Sequence, residues 1–476
     1  MPPYLADDQR MQAALQHSRV LGLVLKPWQR LQQALAPAVR HSRTAAWLPS
    51  LALLMTLLLI FSLPFASSGQ NGILMLAAAG LTFVRLLLHP HESQPFGRLF
   101  VWVFLFVAWG LVATGFSPFA RLSLMGYTKT ISYFLAYLAL LVNLRSLKQV
   151  RLSLQVMLLA AVIVSLYGLY QWHIKVPPLA LWDDPTAQYT LTRVYSFLGN
   201  PNLLAGYLLP TFALSAFLML TLPRLWHKLC FVPLLVVQLL CIYFTYSRGA
   251  WIALAAGAPL GLLLWLRIDG GHLLSRRQGK VLLALGVLLA LGGLIALFVL
   301  NPALSERVSS LFRGREHSSN NFRVNVWMSS IAILRDYGWT GIGMGNKVFQ
   351  AVYTYYMATG FKALSTYNVP LEVWVEMGIG GLLLFVGLLL AHARRVWQVL
   401  CDSQPQSREA RLLLAGALLA LWVLMVHGMV DTVFYRPPVQ VLFWYALAII
   451  SGVSHHVFSG GPASGAAAGG DLSEQG

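Results

Sequence analysis

The chain has 476 residues, of which 57% are hydrophobic and 11% charged, and its mean hydropathy is +0.65. Its formal charge of +18 would suit a nucleic-acid binder, but the basic residues sit at the ends of apolar runs, where they set topology and meet anionic lipid, so nucleic acid is excluded as the expected partner. Cys230 and Cys241 fall about 16 Å apart on one expected helix, which excludes a bridge between them, and no metal cluster is implied.

The first 46 residues hold no run long enough to cross a bilayer. Within 9–39, Leu15, Val20, Leu21, Val24, Trp28, Leu31 and Leu35 interleave with polar residues and are interrupted by Pro27. That pattern predicts a basic amphipathic segment lying on the inner membrane face. It does not read as a secretory signal peptide. Apolar runs then follow near 47–64, 71–88, 99–119, 122–143, 152–172, 202–222, 229–246, 249–267, 280–300, 369–391, 410–429 and 437–457. Runs of about twenty residues match the hydrocarbon thickness, and a backbone in lipid must bond to itself, so each predicts a transmembrane helix.

The expectation is therefore an all-α polytopic membrane protein with about twelve spans. Residues 1–46 form a cytoplasmic segment, 47–300 carry helices 1–9, 301–368 form a long periplasmic loop, 369–457 carry helices 10–12, and 458–476 form a disordered tail. With the N-terminus inside, Arg98, Arg145, Lys148, Arg151, Arg224, Lys228, Arg394 and Arg395 join the inner set, whereas the short outer loops hold only Arg121, Lys175, Arg193, Arg248 and Arg436. That asymmetry places both termini in the cytoplasm and the protein in the cytoplasmic (plasma or inner) membrane.

The loop 301–368 is not linker-like. Phe322, Val326, Trp327, Ile331 and Leu334 recur at helical spacing in NFRVNVWMSSIAILRDY, and KVFQAVYTYYMATG predicts a second helix. Between them, GWTGIGMGN has the glycine spacing of a weak nucleotide motif, but without a strand–turn–helix unit.

Arg248, in TYSRGAW, is the sharpest candidate for chemistry. A lone arginine on the outer side works against the topology signal, which favours a functional anion contact over a snorkelling helix end. Its planar fork suits phosphate, carboxylate or bicarbonate. Arg323 stands near the start of the loop helix, where an anion would let it cooperate with free backbone N–H groups; a solvated polar face weighs about equally. Arg307, Arg313 and Arg315 read as a solvated basic patch. Lys129 lies about two turns inside span four, and Glu372 and Glu376 share a face near the outer end of span ten. Charged groups there usually pair or line a polar cavity, so Lys129–Glu376 is a candidate pair. Arg85, near the inner end of span two, reads as a snorkeller. Asp183 and Asp184 read as a solvated outer loop. No cofactor is implied.

TYSRGAW, FRVNVWMSSIAILRDYGWTGIGMGN, STYNVPLEVWVEMGIGG and the earlier RVYSFLGNPNLLAGYLLP, with Asn200 and Asn202 in its Asn-Pro-Asn, together resemble the O-antigen ligase-like membrane proteins. Within that superfamily the sequence looks closest to the cyanobacterial inorganic-carbon (bicarbonate) transporter group called IctB. The resemblance implies about twelve helices and a long outer loop before a late span. It also implies that Arg248 and Arg323 stand where the ligases hold a lipid-linked diphosphate. The ligases use a histidine before an asparagine to activate the acceptor; here Tyr367 precedes Asn368. A tyrosine of pKa about 10 is a poor general base at neutral pH. His317 is a second candidate for that role. Two partners stay open: a small anion, bicarbonate by analogy, or a polyprenyl-diphosphate-linked glycan, for which the chain would be a glycosyltransferase. Either partner is met within the lipid bilayer's outer face.

Overall fold

A computed structural model describes residues 19–40, 42–89, 96–179, 192–274, 318–402, 407–432, 434 and 436–458. Fourteen α-helices occur among them: α1 (Arg19–Arg40), α2 (Arg43–Ser62), α3 (Ser68–Leu88), α4 (Arg98–Gly115), α5 (Ala120–Asn143), α6 (Leu147–His173), α7 (Pro201–Thr221), α8 (Leu225–Phe244), α9 (Arg248–Leu274), α10 (Ser318–Tyr337), α11 (Asn346–Tyr353), α12 (Val369–Cys401), α13 (Arg408–Gly428) and α14 (Pro437–Phe458). All but α1, α10 and α11 are long and apolar enough to cross a bilayer, which makes eleven spans among the described residues. The chain is an all-α polytopic membrane protein. The expected ninth span, 280–300, lies outside the described residues, as do Asp183, Asp184, Arg307, Arg313, Arg315, His317 and the tail beyond Phe458.

Local chemistry starts many of these helices. Ser67 with Gln70, and Ser146 with Gln149, form reciprocal capping boxes at α3 and α6. Asn200 caps α7 with Pro201 in the first turn, and Asn368 caps α12 with Pro370. The helix α1 runs through Pro27 and Pro37 rather than stopping at the first. It lies along α3, with Trp28 edge-on to Phe83 at 5.1 Å and the Gln32 amide donating to the Leu86 carbonyl at 2.9 Å.

The bundle has a buried centre and a lipid-facing margin. Of the apolar window of α14, 94% is buried, and α7 and α13 follow at 78% and 72%, whereas α8 buries only 17%. The helices α7 and α13 pack against each other more extensively than any other pair, and α9 leans on α13 and α12 on α4. Helices with little burial remain stable because their outer faces meet lipid, not water.

Arg85 does not snorkel. It is 4% exposed, and its Nη1 donates to Asn143 Oδ1 at 2.9 Å; the Asn143 amide in turn donates to Thr56 at 3.0 Å and Thr82 at 2.7 Å. A buried guanidinium costs several kcal/mol unless it finds acceptors, and Asn143, itself held by the two threonines, supplies one. At the same end of the bundle Arg408 grips Asp269 with two bonds, Nε to Oδ1 at 2.7 Å and Nη2 to Oδ2 at 2.6 Å, tying α13 to α9.

The opposite end carries the loop helices. The expected second loop helix stops early: α11 ends at Tyr353, and the chain turns back so that the Tyr353 hydroxyl donates to the Phe361 carbonyl at 2.8 Å. The helix α12 is broken at Gly378, whose backbone (φ 69, ψ −176) is not helical. The glycine-rich turn 338–345 closes that break. Ile342 N–H donates to the Val375 carbonyl and Gly343 N–H to that of Glu376, both at 2.9 Å, while Ile379 N–H donates to the Gly338 carbonyl at 2.9 Å. The turn is also pinned to the α4–α5 corner, where Ser117 Oγ donates to the Ile342 carbonyl at 2.6 Å and Met344 N–H donates to Ser123 Oγ at 2.8 Å. The glycines thus serve a backbone clasp; nothing in the turn forms a nucleotide-binding unit.

Candidate functional site

The clasp end of the bundle holds Arg193 and Arg248, two of the buried arginines among the described residues. The segment before α7 is held first: Gln171 Oε1 accepts from Tyr195 N–H at 3.1 Å and Ser196 N–H at 2.7 Å, and Val194 N–H donates to the Phe244 carbonyl at 3.1 Å. This delivers Arg193, 8% exposed, into the bundle. Its Nε donates to the Thr245 carbonyl and its Nη2 to Asn202 Oδ1, both at 3.0 Å. Asn202 is thereby a partner of an arginine. Asn200 is not: its side-chain oxygen accepts from Asn202 N–H at 2.8 Å and Leu203 N–H at 3.2 Å, so it is engaged as the helix cap.

Arg248 opens α9 after a tight joint at Thr245–Ser247 and is 9% exposed, which is burial and not a snorkelling tip. Its neighbour Gly249 presses on the imidazole of His427; a Cβ there would lie 2.9 Å from Nδ1. His427, fully buried in the last turn of α13, places Nε2 3.2 Å from the Asn202 carbonyl. Four residues on, Asp431 forms an ion pair with Arg323 at 3.3 Å, both side chains being largely buried. Arg323 lies in the second turn of α10, which is already helical at Ser318, so a helix N-terminus contributes less to it than its position in the sequence suggests. The turn His427–Asp431 thus pairs with Arg323 directly, meets Gly249 beside Arg248, and reaches Arg193 through Asn202.

Tyr367 reaches the same place. Its ring meets Phe322 edge-on at 5.4 Å, next to Arg323, and Asn368 donates to the Met429 carbonyl at 2.9 Å. Tyr367 also has φ 54, a left-handed conformation unfavourable for a bulky side chain. The other non-glycine residues of positive φ among the described residues, Lys175, Ser196 and Tyr246, lie at this end too. Backbone strain of this kind concentrates at functional sites.

Lys129, Glu372 and Glu376 do not join the arginines. They line a separate cavity of about 100 Å³ between α4, α5, the clasp, α12 and α14, and none of the three arginines lines it. Lys129 and Glu376 face each other across this space.

Three residues of the arginine cluster escape sequence reasoning. Arg193 looks like one more outer-loop cation, and His427 and Asp431 look like polar residues at a helix end. The available signal is the Asn-Pro-Asn segment, which fixes Asn202 beside Arg193.

The fold and this end of it define a class: a multi-pass helical membrane protein whose polar chemistry is concentrated in arginines held at one face of the bundle. Residues 233–386 match the family model described as O-antigen ligase. The match runs from α8 into α12 and includes Arg248, Arg323, Tyr367, Glu372 and Glu376, whereas Arg193, Asn202, His427 and Asp431 lie outside it. No curated protein matches the chain.

Proposed function

We propose that the arginine-lined end faces the outside of the cytoplasmic membrane and binds the diphosphate of a polyprenyl-linked glycan. The observation that supports this most is the gathering of Arg193, Arg248 and Arg323 around His427–Asp431. Three guanidiniums at one end of the bundle, one of them paired with Asp431, suit a ligand with two or more negative charges. The starts of α7 and α9 at the same end add N-terminal helix dipoles of the matching sign. The outward direction rests on the excess of basic residues at the opposite end. The match to the O-antigen ligase family over residues 233–386 is in keeping with this reading.

Glycan transfer from such a donor needs the acceptor oxygen to attack the anomeric carbon while the diphosphate departs with the bonding electrons. The acceptor proton then passes to a base. Tyr367 stands at the base position implied by resemblance. That substitution favours a second reading, in which the arginines serve a smaller anion, bicarbonate, during transport.

Purified protein in sealed liposomes separates the two. Transfer from a lipid-linked sugar donor, lost in Arg248→Lys, with no bicarbonate uptake, is the expected result. Bicarbonate uptake without binding of the lipid-linked donor overturns the glycan reading. Tyr367→His adds a directional test, since a donor site lacking only its base gains transfer.

A further inference from the structure

We propose that the cavity lined by Lys129, Glu372 and Glu376 is a site for one monovalent positive charge, a sodium ion or a proton. The argument begins with charge. Two carboxylates one turn apart on α12 face a single ammonium on α5, leaving one formal negative charge. Much of the rest of the wall is apolar, including Phe106, Phe385, Phe443 and Trp444, which cannot screen it. Glu376 is 9% exposed, and Glu372 Oε2 is buried without a hydrogen-bond partner among the described residues. An uncompensated carboxylate in such surroundings is costly, and one positive charge removes the cost.

The same balance sets the class of ligand. An anion would meet an excess of carboxylate, and a divalent ion would overshoot the single charge. Thr130, Asn346 and Gln440 complete the lining with oxygen donors suited to a hard cation. The titratable groups facing Glu372 are Glu376 on its own helix and Lys129 and Tyr133 on α5. The α4, clasp and α14 walls contribute Phe106, Asn346, Gln440 and Trp444, none of which titrates. The site is independent of the arginine cluster and of any ligand bound there.

The test uses full-length protein in detergent. Thermal unfolding is followed from pH 5 to 9 with sodium chloride replaced by choline chloride at constant ionic strength, alongside the infrared carboxylic-acid band. A Tm that rises by a few degrees with sodium identifies the ion. A Tm indifferent to sodium, with an acid band that titrates and disappears in Glu372→Gln, identifies the proton. Either response is lost in Glu372→Gln, whose neutral amide mimics the occupied site. Lys129→Met, which leaves two negative charges, gives an independent readout should Glu372→Gln fail to fold. It lowers the sodium needed for half the effect by about tenfold, or moves the acid band's titration to higher pH. Indifference of the wild type to both sodium and pH overturns the proposal. So does a response that survives both Glu372→Gln and Glu376→Gln, or one that weakens in Lys129→Met.

Discussion

Gly341 sits in the break that Gly378 opens in α12: a Cβ on Gly341 would fall 2.6 Å from the Gly378 nitrogen and 2.4 Å from the Glu376 carbonyl oxygen. Both residues have positive φ, 74° and 69°. A helix broken near the membrane is tolerated only when its loosened carbonyls find donors. Here the clasp supplies them, and it approaches closely enough only because neither residue carries a side chain.

The clasp is therefore expected to be intolerant of one methyl group. In Gly378→Ala the new Cβ would lie 2.2 Å from the Trp339 carbonyl oxygen, at a φ that alanine adopts only under strain. Strain and overpacking together cost roughly 3 kcal/mol or more. Gly80→Ala is the control: it lies inside α3 with nothing within 4 Å of the added carbon. Helix propensity predicts a neutral or slightly stabilising change there. Thermal unfolding of both variants in detergent checks the contrast, and equal stability would contradict the clasp.

Arg193 joins two chain segments with one planar group. Its Nε–H points to the Thr245 carbonyl and its Nη2 to Asn202, so it couples the α8–α9 joint to the first turn of α7. In Arg193→Lys a single ammonium cannot cover both acceptors in that geometry. Leaving one buried acceptor unmet costs about 1–3 kcal/mol. The expected outcome is a lowered Tm together with weaker binding of a polyprenyl diphosphate. A variant that loses stability but binds normally would remove Arg193 from the anion site and leave it as a strut.

At the loop surface, Tyr356 donates its hydroxyl to Asp336 Oδ2 at 2.5 Å. The hydrogen bond to that carboxylate, with a smaller contribution from burial, pushes the phenol up to about 12. The folded value exceeds the ordinary one of about 10. The contact's contribution is thus complete below pH 10 and is lost as pH rises through the folded value. Ultraviolet titration of the wild type minus Tyr356→Phe should show one phenol ionising near 12, and Asp336→Asn should return it toward the ordinary range. A difference curve centred near 10 in the wild type would refute the contact.

Eleven of the twelve expected spans coincide with helices among the described residues because each is a long apolar run, although α12 continues to Cys401 and α9 to Leu274, past the ends of their runs. Arg248 stood out because it interrupts two runs that leave no loop. Its partners did not, because convergence is set by which helices are neighbours. Nothing local in the sequence says that the end of α13 meets the start of α9, or that Arg193 is swallowed by the bundle. The break at Gly378 was hidden for a different reason. MGIGG reads like ordinary small-residue helix packing, and only the facing glycines of GWTGIGMGN give it another meaning. Arg85 misleads in the opposite sense: near a helix end, snorkelling is the usual outcome, and its acceptor Asn143 lies 58 residues further along the chain.

That buried contact gives a thermodynamic test of the bundle's other end. Asn143 accepts from Arg85 and donates to Thr56 and Thr82, so it joins α2, α3 and α5. Asn143→Leu leaves a buried guanidinium short of an acceptor and is expected to cost about 3–5 kcal/mol. Arg85→Met removes the charge and the need for that acceptor together, so its cost should be smaller. If the two residues act as one unit, the double variant is more stable than the sum of the single losses predicts, by about 1–3 kcal/mol. Reversible unfolding in mixed detergent micelles measures all four corners of this cycle. Strict additivity would mean that Arg85 draws its support from elsewhere in the bundle, and that Asn143 serves the two threonines alone.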